Sequence, residues 1–275
     1  MTEGRPRVVA LLATHNSGER LEETLRSLQA QTYPNLQILV SDDASTDGTS
    51  ERIAEAALHD PRIRLVRQSR RRGWIGNINA LLAWANGDCF FFMPHDDVLT
   101  ASYVEKLVAA LVGRPAAVLA YSDLDYYESG QFREVQVYRE LEGETDRVRR
   151  AIRWLDQPMS GWCIPYRGLF RAEAVRAFRG LRKHLAGEFG ADWVWLFRMA
   201  LLGEWVRVPE VLYRRNRGKH SLSESWRHGR RKWFSVVMAC GREVLRTNLP
   251  WREKRRLLHA VAHAAVRVVR GGFVW

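Results

Sequence analysis

The strongest constraint on this chain is a pair of short apolar runs that each empty into adjacent aspartates. Residues 36–40 (LQILV) lead into Ser41-Asp42-Asp43, and residues 89–93 (CFFFM) lead into Pro94-His95-Asp96-Asp97. Runs so short and so apolar predict strands buried on both faces, as in a parallel sheet. Paired carboxylates make poor core, because a buried charge is costly unless it is paired. They make sense at the carboxyl ends of strands, where open α/β sheets bind their ligands.

The surrounding sequence supplies the rest of such a sheet. Residues 7–13 (RVVALLA), 63–66 and 117–121 (AVLAY) predict further strands. Between them, Leu21, Leu25 and Leu28 recur at helical spacing, and residues 49–58 and 75–85 predict two more helices. Strands alternating with helices argue for an α/β fold, a mainly parallel central sheet flanked by helices. Residues 128–146 are polar and predict a hairpin or mobile loop; 172–178 and 193–202 predict helices, and 205–213 closes the globular part. Two more helices are expected around 226–245 and 251–270. The expected organisation is therefore a catalytic domain over residues 1–220 and a basic amphipathic helical extension over 221–275.

Charge is distributed unevenly along that plan. The net charge is +12, yet residues 206–275 hold 17 Lys/Arg against 4 Asp/Glu while the first 205 residues are nearly balanced. No apolar stretch approaches the ~18 residues that would cross a bilayer, and the N-terminus does not read as a secretory signal. Three widely spaced cysteines, Cys89, Cys163 and Cys240, are expected to be reduced thiols in a cytoplasmic protein.

Thr14-His15-Asn16, Gln31-Thr32-Tyr33-Pro34 and Asp42-Asp43-Ala44-Ser45-Thr46-Asp47-Gly48-Thr49 follow one another in order, and Pro94-His95-Asp96-Asp97 comes after them. This series resembles the family 2 glycosyltransferases of the GT-A fold, over residues 6–220. The resemblance implies an inverting transfer from a nucleotide-diphosphate sugar to an acceptor hydroxyl. It assigns Asp97 as the ligand of a divalent metal, Mn²⁺ or Mg²⁺, with Asp96 facing the ribose or the metal. It places Asp43 against the imide of the base, Asp42 beside it, and Thr14 and Asn16 in the nucleotide pocket. His95 stands where many members carry a first aspartate, which leaves fewer carboxylates for the metal. The chemistry agrees, since a departing diphosphate gains negative charge and Mg²⁺ or Mn²⁺ binds through one or two carboxylates plus phosphate oxygens.

Gly187-Glu188-Phe189-Gly190-Ala191-Asp192-Trp193 precedes an apolar helix. A carboxylate at a helix start among aromatics suits the base that an inverting transfer needs, and Asp192 matches the aspartate of the family's acidic pair. Trp193 and Trp195 do not both face the core of a regular helix, so Trp193 is expected, with Trp162, to line the acceptor site. Arg71 in Arg70-Arg71-Arg72 is expected to reach the nucleotide, and His220 in the late basic segment to touch the metal or a phosphate. The last helix divides into a polar stripe that includes His259 and His263 and an apolar stripe of Leu257, Leu258, Val261, Ala264 and Val268. Such a helix either packs on the domain or lies on an anionic membrane surface. The expected partners are thus a nucleotide-sugar donor, a glycan or lipid-linked acceptor and a possible membrane face, with no nucleic acid. Two alternatives stay open: a catalytically degenerate protein of the same fold, and a basic nucleic-acid-binding protein.

Overall fold

The computed structural model describes residues 4–157, 161, 163–178, 180–218 and 229–271. Its centre is a sheet whose first strands are β1 (Val8–Thr14), β2 (Leu36–Asp42), β3 (Ile63–Arg67) and β4 (Cys89–Met93). They run parallel in the order β3-β2-β1-β4, and the helices α1 (Arg20–Gln29), α2 (Thr49–His59) and α3 (Gly73–Trp84) connect them. Val8 to Leu12 are completely buried and the whole of Cys89 to Met93 is buried, as expected of central strands covered on both faces. The chain leaves β1 toward β2 on one side and reaches β4 on the other. The crevice of this topological switch point therefore opens at the ends of Thr14 and Met93.

The sheet continues through β5 (Val98–Leu99), β6 (Ala117–Glu128), β7 (Gln131–Gln136), β8 (Leu169–Arg171) and β9 (Glu204–Arg217). The full order is β3-β2-β1-β4-β8-β6-β9-β5, with β7 pairing β6 outside that path. β6 and β7 form the expected hairpin, and its turn residues Ser129 and Gly130 both have positive φ, as a tight two-residue turn requires. β6 lies parallel to β9, and that pairing carries Tyr213 to Asn216 alongside Leu124 to Tyr127.

Part of the recurring sequence pattern is architectural. Gln31 donates to the carbonyls of Ser27 and Thr100 and accepts from the amide of Val104, while the Tyr33 hydroxyl donates to the Pro6 carbonyl at 2.6 Å. Gln31 and Tyr33 thus tie the end of α1 to α4 (Tyr103–Val112) and to the entry of β1.

The remaining helices are α5 (Arg147–Asp156), α6 (Ala172–Arg176), α7 (Ala191–Leu202), α8 (Arg230–Arg246) and α9 (Trp251–Arg270). Asp146 caps α5, its side chain accepting from the Arg149 amide at 2.8 Å. α7 is covered almost all round, with ten of its twelve residues buried. This corrects the expectation that one of its tryptophans faces an acceptor: Trp193 is 1% and Trp195 0% exposed. Trp195 packs on Phe92 and Phe170 of the sheet, whereas Trp193 packs on Trp154 of α5 and Trp233 of α8. A helix sandwiched between two layers has two inside faces, which an amphipathic pattern does not anticipate. α9 buries Leu257, Val261, Ala264 and Val268 against α8 and α5, so its apolar stripe is covered by protein. Among the described residues no helix is long and apolar enough to cross a membrane.

Candidate active site

The rim above β1 and β2 is organised by aspartates that face the protein. Asp42 is buried and accepts from the Thr14 hydroxyl (3.2 Å), the Ser50 hydroxyl (2.6 Å), the Ser45 amide (3.2 Å) and the Ser45 hydroxyl. These bonds hold the turn in which Ala44 takes a left-handed φ of 57°, a conformation that costs an alanine roughly 1 kcal/mol. Asp42 therefore shapes the loop, and its carboxylate is used up in doing so. Asp43 accepts from the amides of Arg72 (2.7 Å) and Gly73 (2.9 Å), at the positive end of α3. Asp47 binds the amides of Gly18 and Thr49 and so starts α2. Asn16 is exposed and bridges the same loop through Ser45 and Thr46. Arg71 is exposed beside it on the loop that leads into α3.

The second pair, beyond β4, divides its labour. Asp97 is completely buried. Its carboxylate accepts from Arg167 Nε (2.9 Å), the Tyr213 hydroxyl (2.8 Å) and the Asn216 amide (2.8 Å). The Thr24 hydroxyl also donates to its carbonyl. Asp97, expected as the metal ligand, is thus engaged by protein donors on both carboxylate oxygens in this structure. Asp96 is the half-buried member, and the hydrogen bond that anchors it is made to its backbone carbonyl by Asn216 Nδ2. Burial, reinforced by the negative charge of Asp97, pushes its carboxyl up to about 7, against the pull of Arg167 and Arg20. His95 is held below the usual imidazole range by burial.

The donor set fits a divalent cation in one specific way. Among the described residues no three His, Cys, Asp or Glu side chains converge as a closed cage. Asp96 is a single half-buried carboxylate with no ion pair or side-chain hydrogen bond among the described residues, and Mg²⁺ or Mn²⁺ is commonly held by one or two carboxylates with phosphate oxygens completing the shell. His220, expected at the metal, and Trp162, expected at the acceptor, lie outside the described residues.

Asp192 sits in the first turn of α7, half-buried, with one carboxylate oxygen accepting from the Trp193 amide at 3.0 Å. Desolvation raises its carboxyl to about 6, opposed by that amide and by the charges of Arg167 and Arg215. Arg167 is the common neighbour: it ion-pairs with Asp97 and its charge acts on both Asp96 and Asp192. Tyr166 beside it stacks on Phe92 (4.9 Å between ring centroids) and feels the Asp192 carboxylate. Glu188, four residues before Asp192, accepts from the Ile75 amide and so links this loop to α3. A pocket of 150 Å³ lined by Arg20, Glu23, Gly130, Asn216 and Arg217 opens beside Asn216.

The structure thus gathers Asp96, Asp97, Asp192 and Arg167 at one rim, next to the loop of Thr14, Asp42 and Asp43. It adds Tyr213, Asn216 and Arg20, which the sequence does not single out. Tyr213 and Asn216 are 116 and 119 residues from Asp97, and nothing local to either segment announces their contact.

Comparison with known proteins identifies the family and the fold. The profile described as "Glycosyl transferase family 2" matches residues 10–172, and the chain belongs to that family. A Campylobacter jejuni "GalNAc(5)-diNAcBac-PP-undecaprenol beta-1,3-glucosyltransferase" is 32% identical over 104 residues, covering 38% of this chain and 34% of that protein. The chain spans well under half the length of the curated relatives it matches. Among solved structures, S. aureus TarS 1-349 in complex with UDP-GlcNAc superposes with a TM-score of 0.71 at 17% identity, over 94% of this chain and 72% of that one. The mannosyltransferase PcManGT from Pyrobaculum calidifontis, in complex with GDP-Man and Mn²⁺, superposes with a TM-score of 0.63 at 19% identity, over 98% and 76%. The fold is therefore GT-A.

Proposed function

We propose that this chain is an inverting glycosyltransferase that moves a sugar from a nucleoside-diphosphate donor to an acceptor hydroxyl. The observation that carries the reading is the placement of two half-buried carboxylates, Asp96 and Asp192, on two separate elements within reach of the charge of one guanidinium, Arg167. Two carboxyls in different surroundings are what a reaction needs when it uses one as a ligand and the other as a base.

In this reading Asp192 accepts the proton of the acceptor hydroxyl as that oxygen bonds to the anomeric carbon. The bond from that carbon to the diphosphate oxygen breaks on the opposite face, and its electron pair leaves with the nucleoside diphosphate. Asp96 would hold a divalent cation, which when bound neutralises charge on the leaving diphosphate. Arg167 ion-pairs with Asp97, and Asp97 in turn fixes Tyr213 and the Asn216 amide at the edge of the site. Thr14, Asn16, Asp43 and Arg71 line the nucleotide side, while Asp42 preserves the loop that presents them. The carboxyl of Asp192 near 6 leaves it mostly ionised at neutral pH and still basic enough to take the proton. The name of the Campylobacter relative supports a lipid-linked glycan as the acceptor class.

Calorimetric titration with UDP, GDP, CDP and dTDP, each with Mn²⁺ or with EDTA, tests the proposal. One nucleotide is expected to bind with metal only, and to lose that binding in Asp96→Ala. A folded protein that binds none of the four would overturn the reading.

A further inference from the structure

The hairpin of α8 and α9 carries eleven Lys/Arg against two Glu between residues 230 and 270. Its inward faces are occupied. α8 buries Trp233, Val236, Val237, Cys240 and Val244, and α9 covers its own apolar stripe against α8 and α5. The outward face of α8 carries a second apolar row that is open. Phe234, Met238 and Leu245 are 40%, 41% and 56% exposed. Steps of four and seven residues keep the three within about 40° of one another around the helix, so they form one stripe. Arg231 and Arg242 border it, both exposed, and neither forms a salt bridge among the described residues.

We propose that this face of α8 docks the chain on an anionic lipid surface. Apolar side chains in line with unpaired arginines suit the boundary between headgroups and acyl chains, where area burial and attraction to negative lipids act together. Charge complementarity separates this occupant from the others. A second copy seated on the same face would set each arginine row against its own image, and three apolar side chains fall far short of the area a stable dimer buries. A nucleic acid would engage the arginines but leave the phenylalanine, methionine and leucine without partners.

The position of the face gives docking a consequence. The first turn of α8 packs on the loop before Asp192: Trp233 meets Phe189 with ring centroids 5.1 Å apart, Lys232 lies 5.4 Å from the same ring, and a side chain at Gly190 would strike Val236. The helix whose outward face meets the surface is thus the one whose inward face supports the element that carries the proposed base. Only that consequence rests on the proposed transferase activity; the docking itself rests on exposure and charge.

Flotation of the full chain tests the inference, with phosphatidylcholine vesicles compared with vesicles containing about one-third phosphatidylglycerol. Binding is expected only to the anionic vesicles and should weaken roughly tenfold when salt shortens the screening length to about 3 Å. Phe234→Glu with Met238→Glu, and separately Arg231→Glu with Arg242→Glu, should each lower the bound fraction about tenfold or more. All four side chains are exposed, so calorimetric nucleotide affinity and circular dichroism serve as checks that folding is retained. Equal binding to neutral vesicles, no binding of the unaltered chain, or unchanged binding in both variants would overturn the proposal. So would loss of binding only in Arg255→Glu with Arg256→Glu on α9, or a dimer in solution that Phe234→Glu dissolves. Nucleotide binding without vesicle binding defeats the docking alone, and the reverse defeats the transferase reading alone.

Discussion

The two aspartate pairs lie at the ends of the strands that flank β1, yet the protein spends them differently. At β2 both carboxylates are turned to the backbone and hydroxyls of their own rim: Asp42 holds the turn and Asp43 binds the first amides of α3. At β4 one is immobilised and the other is left open: Asp97 is locked by an arginine, a tyrosine and an amide, and the half-buried Asp96 carboxylate accepts no hydrogen bond from any other described residue. Adjacent residues at a strand end point in opposite directions, so a pair in sequence seldom acts as a pair in chemistry. The supply of donors decides the role. A carboxylate surrounded by donors is held by its own protein, while Asp96, beside the negative charge of Asp97, is the one left for the cation proposed above.

The largest effect expected is on catalysis at neither pair. Asp192→Asn should lower kcat by roughly two to four orders of magnitude while nucleotide affinity is kept, because it removes a positioned base. In the unaltered protein kcat/KM should fall as pH drops below about 6, since the raised Asp192 carboxyl takes up a proton there and can no longer accept one. A flat profile from pH 5 to 8 would remove Asp192 from that role.

Asp97→Asn breaks a buried ion pair and is expected to cost about 3–5 kcal/mol of stability, measured by urea unfolding, with loss of nucleotide binding as a secondary effect. Asp96→Asn is the contrasting variant. It should abolish metal-dependent nucleotide binding and leave the protein as stable as before or slightly more so in EDTA. The sign follows from its raised pKa: the protonated form is favoured by folding below the unfolded carboxyl value, and that contribution is lost as pH rises toward 7. If the stability loss and the binding loss exchange places between these variants, the assignment of structural and open carboxylate is reversed. The smallest effect should come from the β2 rim, where Ser50→Ala removes one donor to Asp42 and should cost on the order of 1–3 kcal/mol.

The same contrast between local pattern and partner explains what could be read in the sequence. The strands from β1 to β4, their connecting helices and the acidic rim follow from runs and turn residues within a few positions of one another. The GT-A fold and the family were legible for that reason. Trp193 was not, because α7 is covered by the sheet on one side and by α5 and α8 on the other, and periodicity registers a single inside face. The apolar stripe of α9 was legible as a stripe, but whether protein or lipid covers it depended on where α5 and α8 lie. The stripe of α8 was hidden by the buried residues that alternate with it on the same helix.

The sequence by itself determined the alternation of strand and helix, the positions of the carboxylates at strand ends and the concentration of positive charge in the last quarter of the chain. Each is set by neighbours in the chain. Tertiary structure alone decided that Asp97 is locked, that Asp96 is open and that Arg167 stands between them and Asp192. Those roles depend on donors 70, 116 and 119 residues away, which reach Asp97 only once β6, β8 and β9 have joined the sheet.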